Sequence, residues 1–239
     1  MTRIKTMQGT KPILILAPHG GGPTDLRSAE IATKVINELG VYGVVNTGWL
    51  RPWVGHQEGT GKKHNGPIQE DLANGIANLN DLNHCRQKPL KDDFLGPIDM
   101  FVKNIKGSKK RVNVFIIHGM DDTIRDYKGH NMILGYGNGN PPRFSCSDLF
   151  KERFGACLAN QKFIVGQGKP GGRLSAWHQN NLNQLYSNDG DVFSIQIEIG
   201  LTLRDTDAKI HDLSLRIAES IQQTVEGGSV KFLKNIPEF

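Results

Sequence analysis

A chain of 239 residues with 37% hydrophobic and 22% charged residues has a globular composition, which excludes the disordered, collagen-like and coiled-coil classes. Its net charge is +5, but the basic residues are scattered apart from Lys106, Lys109, Lys110 and Arg111, and no RNA-binding aromatic motif or zinc finger accompanies them. Nucleic acid is therefore not an expected partner, whereas a small anionic substrate is compatible with the charge. No apolar run reaches the roughly 20 residues that cross a bilayer, and Met1–Lys11 holds no apolar stretch of signal-peptide length. Cys85, Cys146 and Cys157 form no Cys-x-x-Cys pair, so neither a disulfide framework nor a thiolate zinc ribbon is expected, and a reducing, cytoplasmic location fits. The length is that of one large α/β domain, taken here as residues 1–239.

In chain order, short apolar runs read as buried strands at Ile13–Ala17, Tyr42–Val45, Val112–Ile117, Phe163–Val165 and Val192–Ile199. Between the first two, Ile31, Val35, Ile36 and Leu39 follow helical spacing, with Asp25 or Ser28 as the cap and Gly40 as the stop. Gly48–Gly66 and Gly135–Ser147 are rich in Gly, Asn and Pro and read as loops bordering a site. Ser175–Tyr186 reads as a helix, and a longer one starts near Thr206, where Ile210, Leu213, Ile217 and Ile221 recur until Gly227–Gly228. This alternation predicts a three-layer α/β/α fold with a mixed, largely parallel sheet, whose sites sit at the carboxyl ends of strands.

The first strand leaves through Pro18-His19-Gly20-Gly21-Gly22-Pro23-Thr24-Asp25. An esterase oxyanion loop would need a Gly-x-Ser-x-Gly nucleophile, which the chain lacks, and neither phosphate-loop pattern follows this strand. A metal site remains. A second apolar strand ends in Ile117-His118-Gly119-Met120-Asp121, so two neighbouring parallel strands would bring His19 and His118 side by side. Catalytic zinc commonly takes three N or O ligands and leaves one position open. Asp25 is the nearest carboxylate to complete the set, and Asp121 the alternative. In Ser194–Ile199, Gln196 and Glu198 share one face of the strand, and a carboxylate there needs a polar or cationic partner. A general base is the sharp reading, and a solvent-facing edge strand the plain one.

Taken together, these segments resemble the N-formylglutamate amidohydrolase family, zinc-type hydrolases whose fold is similar to that of zinc carboxypeptidases and aspartoacylases. Pro18-His19-Gly20, Thr24-Asp25, Asn80-Asp81-Leu82-Asn83-His84, Ile116-Ile117-His118-Gly119, Gly171-Gly172 and Gln196-Ile197-Glu198 follow the family's motifs in order and spacing. The resemblance implies His19, Asp25 and His118 as ligands of one Zn2+ per chain, and Glu198 as the base that activates the water. It departs from the family at His84, where an arginine that helps hold the substrate carboxylate is expected. Arg86, Arg51 or Arg173 would have to substitute for it, and Asn83, Gly172 and His178 are further candidate substrate contacts. The expected activity is hydrolysis of an amide bond in a small carboxylate-bearing N-acyl amino acid. A metallopeptidase acting on γ-glutamyl or cell-wall peptides, and a non-catalytic anion-binding module on the same fold, are the alternatives.

Overall fold

The computed structural model describes residues 2–20, 25, 27–50, 68–108, 110–139 and 141–227, with the backbone alone at Arg173. Arg51, Thr24, Lys109, Gly228 and most of the loop read at 48–66 lie outside the described residues.

A seven-stranded sheet runs in the order β1-β3-β2-β4-β7-β5-β6. The strands are β1 Ile4–Met7, β2 Ile13–Ala17, β3 Tyr42–Asn46, β4 Val112–Met120, β5 Met132–Gly135, β6 Val165–Gln167 and β7 Val192–Gly200. β3, β2, β4 and β7 are parallel neighbours, β5 and β6 are parallel to each other, and the antiparallel pairings are β1 with β3 and β5 with β7. The sheet is therefore mixed and largely parallel, as the alternating pattern predicts.

Side chains alternate across the central strands, and each face buries its own core. Ile13, Ile15, Phe115, Ile117, Ile195 and Ile197 pack against α1 (Ser28–Leu39), α5 (Asp148–Asn160) and α6 (Asp207–Glu226). Leu14, Leu16, Val114 and Ile116 face the other way, onto α3 (Leu82–Cys85) and α4 (Gly96–Gly107), with α2 (Ile68–Ala73) beside them. Leu14, Ile15, Phe115, Ile116, Ile195 and Ile197 are completely buried, and each such side chain contributes about 1.5–3 kcal/mol.

The structure corrects several sequence expectations. α1 starts at Ser28 without a side-chain cap, behind Arg27 in the left-handed region, because the Asp25 carboxylate is engaged elsewhere. No helix spans Ser175–Tyr186. Single 3-10 turns at Arg173–Ser175 and Leu182–Gln184 stand there instead, separated by Ala176 at φ 56° and a turn that Asn181 caps by accepting the Asn183 N–H. β6 begins two residues later than predicted, since Lys162 at φ 63° ends the helical segment and Phe163 packs under the Arg216 guanidinium at 4.1 Å. The basic cluster is partly neutralised, Lys106 pairing with Asp189 at 2.7 Å.

Candidate active site

The parallel register that sets Leu16 opposite Ile116 carries His19 out of β2 beside His118, near the end of β4. The two rings meet edge-on with centroids 4.9 Å apart. Buried Asn46 fastens the β2 exit by donating to Pro18 O at 2.9 Å and Trp49 O at 2.8 Å. The turn after His19 then closes onto α1 so tightly that a Cβ on Gly20 would lie 2.1 Å from the Ala29 Cβ, which restricts the position to glycine.

Asp25 enters this corner from the turn before α1. Its Oδ2 lies 3.1 Å from His19 Nδ1 and 2.9 Å from His118 Nδ1, and all three residues are about 2% exposed. Burial alone would raise the Asp25 pKa, but the His19 charge, hydrogen bonds from His118 and His19, and the His118 charge hold it well below the usual carboxylate range. Facing nitrogen lone pairs and a carboxylate attract one another only with a proton or a cation between them. Each residue offers one ligand atom, and these atoms lie within 4.8 Å of one another. This donor set suits a divalent metal.

A residue that sequence reasoning missed fixes one of these imidazoles. Asn78 Oδ1 accepts from His19 Nε2 at 2.7 Å and from the Asn80 backbone N–H at 3.1 Å. The backbone donor identifies that atom as the amide oxygen, so His19 carries a proton on Nε2 and turns Nδ1 towards Asp25. Asn78 is held in turn by His84, whose Nδ1 accepts the Asn78 N–H at 3.4 Å. The histidine at the position expected to carry arginine therefore faces the protein's own backbone. Only the proximity of Asn78 to the aspartate-led turn at Asp81 signals this role in the sequence.

On β7, Glu198 is in direct register with His118, so the two side chains share a face of the sheet about 5 Å apart. Glu198 is 6% exposed, and its Oε1 accepts from Gln196 Nε2 at 2.7 Å. Beneath the strand ends lies Arg204, 2% exposed, with Nε donating to Ile199 O and Nη2 to Met120 O, both at 3.1 Å. Burial pulls the Arg204 pKa below its ordinary value, while the carboxylates of Asp25, Asp122, Glu198 and Asp121 oppose that shift. A guanidinium keeps its charge under such conditions, so Arg204 offsets part of the negative charge gathered at the site. No motif in the sequence singles out Arg204.

The other candidates are dispersed. Asp121 is exposed and binds its own turn through the Thr123 N–H, so it does not join the histidines. Asn83 and Arg86 are exposed on and after α3, with no hydrogen bond to the cluster. His178 is exposed and accepts the Asn180 N–H at 3.2 Å. Gly172 is half-buried beside Tyr127, whose hydroxyl accepts the Lys169 N–H. Among the described residues no helix is long and apolar enough to cross a membrane.

No protein-family model matches the sequence, and no curated protein sequence matches it. Solved structures do. A gene product of Agrobacterium tumefaciens superposes with a TM-score of 0.65 over 95% of this chain and 96% of its own, at 10% identity. An N-formylglutamate amidohydrolase from Ralstonia eutropha aligns with a TM-score of 0.58 over 96% of this chain and 100% of its own, at 14% identity. A bacteriophage poly-gamma-glutamate hydrolase gives 0.54 over 94% and 87%, at 15% identity. The chain thus has the three-layer α/β/α fold of the N-formylglutamate amidohydrolase structure to which it is similar.

Proposed function

We propose that the chain is a cytoplasmic, metal-dependent hydrolase that cleaves the amide bond of an N-acyl amino acid, with one Zn2+ held by His19, Asp25 and His118. The observation that carries this reading is the buried His19–Asp25–His118 group at the carboxyl end of the sheet, with Glu198 in register with His118. Its likeness in fold to an amidohydrolase supports it. Zinc held there would supply a Lewis acid for the amide carbonyl and would lower the pKa of a water towards neutrality. Glu198 takes the proton of the attacking water and returns it to the departing amine. Asn78 keeps His19 in the ligating tautomer.

One observation favours a second substrate class on the same machinery: the chain shares its fold with a poly-gamma-glutamate hydrolase. γ-Glutamyl peptides therefore belong in the test beside N-formyl and N-acetyl amino acids. Zinc-loaded wild type should hydrolyse a member of one class, and Glu198→Gln should keep its zinc while losing about 10²–10⁴-fold in kcat. Unchanged turnover in Glu198→Gln would remove the base from the mechanism, and zinc-loaded protein inert on both classes would leave a binding module.

A further inference from the structure

We infer that Gln196 is the positioning residue of Glu198, and that its orientation is imposed by the paired loops around Asn80 and Asn181. This rests on the hydrolase reading for its catalytic consequence, but the orientation follows from hydrogen bonds alone.

Asn183 N–H donates to Asn181 Oδ1 at 2.8 Å, which fixes that side chain with its NH2 group pointing away from the turn. Asn181 Nδ2 then lies 3.4 Å from Gln196 Oε1, and Asn80 Nδ2 lies 3.5 Å from the same oxygen. Both are long contacts, but the first comes from an NH2 group whose direction the turn fixes, so the Gln196 atom that faces it is the oxygen. The Gln196 nitrogen is thereby turned to Glu198 and donates to Oε1 at 2.7 Å, a charge-assisted length. Gln196 is 1% exposed, so water does not compete for these groups.

The two asparagines belong to short segments that clasp each other. Asn80-Asp81-Leu82-Asn83 and Asn180-Asn181-Leu182-Asn183 pair through Leu82 N–H to Asn180 O at 2.7 Å and Leu182 N–H to Asn80 O at 3.1 Å. Each places a leucine in the core on the α4 side of the sheet. The clasp also contains Asn80, whose N–H sets Asn78 and through it His19. One pair of loops therefore orients both the first histidine and the Glu198 carboxylate.

Three variants in the zinc-loaded protein test this. Gln196→Met keeps the volume and removes the donor. Asn181→Asp keeps the acceptor that caps the turn but loses the donor, so Gln196 is free to rotate its oxygen towards Glu198. Asn181→Leu removes the cap as well. In Gln196→Met and Asn181→Asp, kcat should fall about 10- to 100-fold with KM, zinc content and melting temperature near wild type. A purely structural role predicts instead that Asn181→Asp behaves as wild type and only Asn181→Leu is impaired, and that result would overturn the inference. The second readout needs no turnover. In ¹⁵N-labelled protein the side-chain amide of Gln196 should show one downfield proton that returns to ordinary values in Glu198→Ala and in Asn181→Asp. If wild type is inert on all substrates the hydrolase reading fails, and this signal alone decides whether Gln196 holds the carboxylate; an amide insensitive to Glu198→Ala would overturn that too.

Discussion

Asp25 reads in the sequence both as a helix cap and as the carboxylate that completes the histidine pair, and in the structure it stands with the histidines. A carboxylate just before a helix reads as a cap, but a capping role would leave His19 and His118 facing each other across a buried corner without a counter-charge. The structure resolves the competition in favour of the histidines, and α1 begins uncapped. This choice has a pH signature. The ordinary Asp value is 3.8 and that of folded Asp25 is far lower, so as the pH falls the unfolded chain takes up this proton first. The contribution is complete above 3.8 and shrinks as the pH falls below it towards the folded value. Metal-free wild type should therefore lose more urea stability between about pH 5 and pH 3 than Asp25→Asn does, and parallel losses would contradict the assignment. Residues that touch the core of the site were legible where a strand exit displays them, as with His19, His118 and Glu198. Asn78 and Arg204 were not, since an asparagine in a turn and an arginine after a strand have commoner solvent-facing roles, and only tertiary placement turns them inward.

At the scale of elements, β4 and β7 extend past β2 and β3, and their last residues build the floor of the site. Gly119 alternates with His118 and faces Arg204, and a Cβ there would stand 2.4 Å from the Arg204 Cζ. The guanidinium is pinned by two carbonyls and has little room to withdraw. Gly119→Ala should cost about 1–3 kcal/mol in urea unfolding, whereas Gly40→Leu-type surface changes at a left-handed cap act through backbone strain instead. An unchanged midpoint for Gly119→Ala would show that Arg204 is not held where the strand ends meet. The central strands were readable because continuous apolar runs of this length in an alternating pattern have few other uses. β1, β5, α4 and α5 were not. β1 is an edge strand whose Ile4 alone is fully in the core, and β5 spans only Met132–Gly135, while α5 spaces Phe150, Phe154 and Leu158 four apart around small residues. The predicted helix at Ser175–Tyr186 failed because asparagines that cap turns also break helices.

Over the whole molecule, the parallel register of β2, β4 and β7 brings residues 19, 118 and 198 together, although about three quarters of the chain separates the first from the last. That convergence is what a strand-exit argument can anticipate from sequence, and the loop clasp at Asn80 and Asn181 is what it cannot, since pairing between distant turns leaves no periodic trace. The proposed chemistry depends on the metal, so the most direct measurement is zinc stoichiometry and affinity by calorimetry on protein purified without a metal affinity column. Wild type should bind about one zinc per chain, His19→Ala and His118→Ala should lose it, and Asn78→Leu should bind about 10- to 100-fold more weakly. Wild type that takes up no zinc, or zinc binding that survives both histidine substitutions, would contradict the account.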